Sequence, residues 1–311
     1  MKLVVTGATG HIGSYVVRDL ADRLPGSEIV LIDNLMTQRF PSLFDLPAGA
    51  RYRFVEADVT TADLRPHMDN AHAVIHLAAI TDANGSADDG AQIASNNFEA
   101  TRAVTDACIA TGARMIAVST TSVYGSRNAV VDEDCPPDDL NRQSPYTSTK
   151  LKEEELVRCA ASRGLRGIAC RFGTIFGPSP GMRFHTAVNR FCWQAVMAQP
   201  LTIWSTAYEQ KRPYLDLQDA ARAFAFILDA DLFDGGIYNV LTTNATVHEV
   251  VDVIREFVPR VDLTFIDHPF MNALSYEVSC ERFVGKGFRF EGDLRRGIGE
   301  TIARLRRANS A

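Results

Sequence analysis

Six cysteines in 311 residues, at 108, 135, 159, 170, 192 and 280, stand without a CxxC pair or any metal-ligand spacing. Scattered thiols of this kind fit a reducing compartment and argue against a disulfide scaffold or a zinc site. Basic charge is also short: 32 Lys and Arg face 38 Asp and Glu, a net charge of −6. Sequence-independent nucleic-acid binding needs a basic footprint, so that class is set aside, though a local basic pocket for a small anion is not. No run approaches the roughly 18 apolar residues that span a bilayer. The chain opens directly on strand-like KLVVTG, without a basic-then-apolar leader. The expectation is a cytoplasmic protein with no membrane, nucleic-acid or metal partner.

What is present is enough for a large core, since 46% of residues are hydrophobic. Short apolar, β-branched runs recur at 3–5, 29–32, 52–55, 73–77, 115–118, 167–170 and 237–240. Most are continuous rather than alternating, as in strands buried on both faces. Helical patterns lie between them. One covers 12–23. A second covers about 91–111 and stops at Gly112. A third opens on Ser144 as N-cap and Pro145 as first residue. This alternation predicts an α/β fold with a doubly wound parallel sheet. The pattern thins after Arg171, and further helices are expected at 189–198, 216–229, 247–257 and 293–307. Residues 1–173 read as a dinucleotide-binding domain and 174–311 as a smaller, partly interleaved substrate lobe. Segments near 215–241 are expected to return to the first domain.

Gly7, Gly10 and Gly13 in LVVTGATGHIGS follow a strand and open a helix. Glycine lets backbone approach a pyrophosphate closely, and the helix start offers N–H groups and a positive dipole end. His11 sits in this loop and reads as a solvent-side residue. Asp33 ends the second strand, 20 residues after Gly13. A carboxylate there accepts hydrogen bonds from a ribose diol and repels a 2′-phosphate, which favours NAD over NADP. Asp58 and Val59 close the third strand and are candidates for the adenine edge. His76 closes the fourth and reads as structural, while the small residues after it, Leu77, Ala78 and Ala79, let backbone reach the cofactor.

Tyr146 and Lys150 are four apart on a predicted helix and share one face. A free phenol titrates near 10 and is a poor base at neutral pH. A nearby ammonium and an oxidised nicotinamide both favour the phenolate, which then takes a proton as hydride leaves the same carbon. The fifth strand ends in Ser119, Thr120, Thr121 and Ser122. Any one of these hydroxyls could bond the reacting oxygen, and chemistry alone does not choose. Residues 182–189 read as a wall of the substrate pocket, with Thr186, Asn189 and His185 as candidate contacts.

Taken together these residues resemble the extended short-chain dehydrogenase/reductase family, in its nucleotide-sugar, UDP-glucose 4-epimerase-like epimerase and dehydratase branch. TGATGHIGS is similar to that family's TGxxGxxG. IDNL, HLAA, STTSVYG, YTSTK, RFGTIFGP and KRPYLDLQDAA resemble its later landmarks in order. The resemblance implies Thr120 as the catalytic hydroxyl, Tyr146 as general base and acid, and Lys150 as its partner and a holder of the nicotinamide ribose. It adds Ile12, Asn34 and Asn97 to the cofactor contacts. Thr81, Thr174 and Arg212 join Thr120, Tyr146, Thr186 and Asn189 on the substrate side, with Arg212 on a diphosphate.

Two departures narrow the activity. Dehydratases of the family carry Asp-Glu after the threonine and decarboxylases a glutamate beside the valine of VYG, where this chain has Thr121 and Ser122. Thr174 replaces a usual asparagine. Residues 268–279 also lack the family's usual R-x-G-D. The expectation is therefore an NAD-dependent nucleotide-sugar epimerase, with C4 as the expected position. The alternatives are a reductase or dehydrogenase of a keto-sugar or other carbonyl, and a non-catalytic NAD-binding regulator. The resemblance also implies a homodimer built on the two helices near 91–111 and 144–163, with Ile93, Val104, Cys108 and Leu156 as apolar candidates for the interface or the core.

Overall fold

The computed structural model describes residues 1–81, 87–125, 129–140, 145–267 and 275–308. Seven strands form one sheet: β1 (Lys2–Thr6), β2 (Glu28–Asp33), β3 (Arg51–Glu56), β4 (Ala73–His76), β5 (Arg114–Thr120), β6 (Gly167–Phe172) and β7 (Ile237–Val240). Their spatial order is β7-β6-β5-β4-β1-β2-β3, and every neighbouring pair is parallel. The order reverses between β1 and β4, which leaves a crevice beyond their carboxyl ends. The inner strands are the continuous apolar runs, with Leu3, Val4 and Val5 all at 0% exposure. Edge strand β3 is half exposed along RYRFVE, as an edge allows.

The long helices are α1 (His11–Arg23), α2 (Ala87–Thr111), α3 (Pro145–Ala160), α4 (Ala187–Val196), α5 (Leu217–Asp229), α6 (Val247–Phe257) and α7 (Leu294–Arg306). On one face of the sheet, α1 and α5 share a core with β1 and β7 through Val16, Leu20, Phe224, Ile227 and Tyr238. On the other face, α2 and α3 pack through Val104, Cys108, Val157 and Ala160. Val104 and Cys108 thus belong to the interior, at 0% exposure, and cannot form a dimer surface. Gly112 ends α2 in the left-handed region at φ 71°. Ser144, the expected N-cap of α3, lies outside the described residues, as does 268–274 of the tail.

A third core, with Phe176, Phe191, Val250, Ile254 and Ile298, joins α4, α6 and α7. Beside it three short strands, Thr174–Phe176, Lys211–Asp216 and Thr243–Thr246, pair in a separate sheet. Residues 217–240 leave this lobe to supply α5 and β7 to the main sheet, and Phe283 and Phe288 join the same core.

A buried ionic network seats α3 on the sheet. Arg171 on β6 donates to both carboxylate oxygens of Glu154, at 2.9 and 2.7 Å. It also donates to the Tyr124 hydroxyl at 2.9 Å, which donates to Asn239 Oδ1 on β7. Both ionic side chains are 4% exposed. Removing one partner from a buried pair strands the other charge. Glu154→Gln is therefore expected to lower unfolding free energy by about 3 kcal/mol, measured by urea denaturation.

Candidate active site

One cavity of about 500 Å³ opens at the crevice. Its walls come from the ends of all six strands β1 to β6 and from Arg183, His185 and Thr186 of the smaller lobe. Gly7, Gly10, His11, Ile12 and Gly13 line it, as do Asp33, Asn34, Asp58, Val59, Leu77, Ala78, Ala79 and Thr81. Thr120, Tyr146, Lys150, Thr174 and Thr186 line the same space. Asn97, Asn189 and Arg212 do not.

The glycine loop is built by close approach. Gly7 has φ 66°, and a Cβ there would sit 2.7 Å from the Ala78 nitrogen. A Cβ on Gly13 would sit 2.4 Å from the Gly7 carbonyl. Both positions therefore require glycine. The first turn of α1 has Gly10 as N-cap, no capping side chain and no acidic residue. Its N–H groups are left for an anion. These are the features a dinucleotide pyrophosphate requires, and the cavity residues fit NAD.

Asp33 is tied at both oxygens. Oδ2 accepts from the Thr9 N–H at 3.0 Å and Oδ1 from the Leu35 N–H at 2.9 Å. The carboxylate is thereby fixed between the glycine loop and its own turn, with remaining lone pairs for a diol. Asn34 donates to Asp58 at 3.0 Å, and Thr60 donates to Asp58 from its hydroxyl and its backbone. The Thr60 hydroxyl leads in holding the Asp58 carboxyl below its ordinary range.

His11 is buried at 5% exposure, not solvent-facing. Its Nδ1 pairs with Ser179 Oγ at 2.8 Å and its Nε2 with the Asn189 amide at 3.3 Å. Ser14 Oγ accepts from the Gly181 N–H at 2.9 Å. A Cβ on Gly181 would sit 2.2 Å from the Thr9 carbonyl. Residues 179–189 thus fold over the glycine loop, and Asn189 supports that segment from beneath through Gly177 N–H and Arg183 C=O. Asn97 works the same way: its side chain bonds both N–H and C=O of Ile80 at 2.8 Å. Both amides satisfy backbone behind the wall instead of facing the cavity. Arg212 stacks 5.7 Å over Tyr276 and donates to Gln210 and to the Lys211 carbonyl.

At the other end the choice among four hydroxyls narrows. Ser119 donates to Glu154 and Thr121 to the Phe172 carbonyl. Ser119, Thr120 and Ser122 line the cavity, and of these Ser119 is already committed to Glu154. Lys150 Nζ donates to the Val118 carbonyl at 3.1 Å and to Glu153 at 2.8 Å. Burial opposes its charge, but Glu153, Tyr146 and Glu154 outweigh that and raise its pKa. His76 has both nitrogens held by hydroxyls, of Thr6 at 2.8 Å and Thr101 at 3.2 Å.

Two arginines that the motifs did not reveal, Arg39 and Arg183, line the cavity near the glycine loop. Burial, then Arg183, lowers the pKa of Arg39. Two guanidiniums close enough to repel complement a bound diphosphate. The sequence hints at Arg183 through the 182–189 segment read as pocket wall, and at Arg39 only as a basic residue in a loop of an acidic chain.

The sequence profile of the NAD dependent epimerase/dehydratase family matches residues 3–240. The chain belongs to that family, and its cofactor is NAD. It is 30% identical over 290 residues to the UDP-glucose 4-epimerase of Azospirillum brasilense, covering 86% of this chain and 80% of that one. It is 27% identical to a trifunctional UDP-glucose 4,6-dehydratase, 3,5-epimerase and reductase of Arabidopsis thaliana. That alignment takes in 97% of this chain but spans only 46% of the plant enzyme. The structure of MoeE5 in complex with UDP-glucuronic acid and NAD superposes with a TM-score of 0.84 at 27% identity, over 99% of this chain and 100% of that one.

Two outcomes follow from this geometry. Gly181→Ala, outside every cofactor motif, is expected to weaken NAD binding at least tenfold by displacing the glycine loop, as read by calorimetric titration. Burial first, then Arg183 and Arg39 at His11 and Lys150 at His76, lowers both histidines to about 3. The unfolded chain protonates them near 6.5. Below that pH the unfolded state binds more protons, so stability falls as pH drops from about 6.5 toward 3, by up to about 1.4 kcal/mol per pH unit for each histidine. Urea denaturation of His76→Gln should show a slope smaller by about that amount.

Proposed function

We propose that this chain is an NAD-dependent nucleotide-sugar epimerase acting at C4 of the sugar. The observation that carries this reading is the distribution of carboxylates. The acidic residues lining the cavity are Asp33 and Asp58, both at the end expected to hold adenosine. Among the described lining residues none stands beside Thr120 and Tyr146. Elimination of water needs an acid and a base beyond the tyrosine. Reversible oxidation at one carbon needs only the tyrosine and its neighbours.

In this reading Tyr146 takes the proton of the sugar hydroxyl, and Thr120 bonds the same oxygen. Lys150 stabilises the phenolate and holds the nicotinamide ribose. NAD, when bound there, would supply the acceptor and donor of the hydride, and the chain's own groups would hold the sugar oxygen through both transfers. Asp33 holds the adenosine ribose, and Arg39 and Arg183 neutralise phosphate. The neighbour bound to UDP-glucuronic acid and the UDP-glucose 4-epimerase relative support a UDP-sugar as substrate. Thr81, Thr174 and Thr186 line the sugar end. Residues 1–173 with 217–240 form the NAD domain and the remainder the substrate lobe. The active form is a homodimer through the outer faces of α2 and α3, and the protein works in the cytoplasm. No helix among the described residues is long and apolar enough to cross a membrane.

The test is liquid chromatography with mass detection after incubation with NAD+ and UDP-, GDP-, CDP- and dTDP-sugars. A product of unchanged mass at a new retention time supports the reading. Loss of water or carbon dioxide, or net reduction of NAD+ to NADH, contradicts it. Tyr146→Phe is expected to reduce kcat by about 100-fold or more, the size of a lost general base. Ser122→Ala should retain most activity.

A further inference from the structure

Tyr146, Lys150 and Glu153 lie at i, i+4 and i+7 on α3, along one stripe of the helix. Glu153 is 5% exposed and accepts from Lys150 Nζ at 2.8 Å through Oε2. Its Oε1 is buried with no hydrogen-bond partner. Glu154, next to it, is fully engaged by Arg171 and Ser119. Nothing in the packing of α3 requires a second buried carboxylate at 153, and burying one without full hydrogen bonding costs stability. Its one strong contact is the lysine that serves the base.

We propose that Glu153 is a positioning residue that sets the pH at which Tyr146 accepts the substrate proton, by holding Lys150 and screening its charge from the phenol. This rests on the reading of Tyr146 as the base. A lone ammonium beside Tyr146 would stabilise the phenolate strongly. A carboxylate 2.8 Å from that ammonium cancels much of its field at the phenol while keeping Nζ in place. Other ionisable groups packed around the pair are already committed. On β4, His76 is neutral, lowered to about 3 by burial and then by Lys150. On β6, Arg171 is neutralised by Glu154. On α2, Glu99, Arg102 and Asp106 have half-exposed side chains and pair with one another and with Arg163. β5 contributes the Val118 carbonyl and the Ser119 hydroxyl.

The experiment titrates tyrosinate absorbance in the protein with NAD+ bound, taking the difference between each protein and its Tyr146→Phe counterpart. Glu153→Gln, which keeps the shape and removes the charge, should move the Tyr146 titration to lower pH by about one unit, because a charge of the same sign as the phenolate is lost and the Lys150 ammonium is left unscreened. Glu153→Val should move it the same way, and Glu153→Asp should restore most of the original position. A titration unchanged in Glu153→Gln and Glu153→Val, or moved to higher pH, overturns the proposal. This readout needs no substrate. Failure to turn over any nucleotide sugar therefore sinks the epimerase reading while leaving the titration intact. With an active substrate, the acid limb of kcat should shift by the same amount at unchanged KM. A merely structural glutamate would alter stability and leave the limb in place.

Discussion

The bidentate bond between Arg171 and Glu154 decides where the reacting groups stand. It joins β6 to α3 and, through Tyr124 and Asn239, reaches β7. Tyr146 and Lys150 sit one to two turns up the same helix, so their position over the ends of β5 and β6 follows from that anchor. Buried ion pairs are weak sources of stability because desolvation offsets their attraction. What this one supplies is orientation: the planar guanidinium accepts only one arrangement of the carboxylate. Lys150 then meets the Val118 carbonyl on β5, which fixes the ammonium relative to the strand that ends in Thr120.

A second constraint acts at the opposite end of the cavity, where three stretches of backbone meet without side chains between them. The loop after β1 touches the loop after β4 at Gly7, and residues 179–181 touch the loop after β1 at Gly181. The smaller lobe is therefore in contact with the phosphate loop itself, through His11, Ser14 and Thr9. Binding a cofactor and shaping the substrate wall share the same few residues.

Much of the fold was legible because its signals are local. Most of the seven strands are nearly continuous apolar runs, edge strand β3 with its RYRFVE being the exception, and each lies within about two residues of its expected place. Asp216, Thr246 and Asp293 cap α5, α6 and α7 through their side chains, close to the expected helix starts. The glycine loop, Asp33 and the Tyr146–Lys150 pair were legible because their spacing carries chemistry. The rest depends on partners far along the chain. His11 and Ser179 are 168 residues apart, and no local pattern announces that bond. The same holds for Asn97 and Asn189, whose amides serve backbone behind the wall, and for Arg39 and Arg183 in loops without a motif. The four hydroxyls at 119–122 became distinguishable only when Glu154 and the Phe172 carbonyl were seen to engage Ser119 and Thr121.

The proposed epimerisation takes one hydride from a sugar carbon and returns it to that same carbon within the cavity at the crevice. A nucleotide sugar deuterated at C4 tests it directly, with mass spectrometry of substrate and product after turnover in the presence of excess unlabelled NAD+. Hydride return to the same carbon leaves the deuterium in the epimer and none in the free cofactor pool. Deuterium lost to solvent would place the reaction at an acidic C–H without hydride transfer. Deuterium appearing in free NADH would make the protein a dehydrogenase instead.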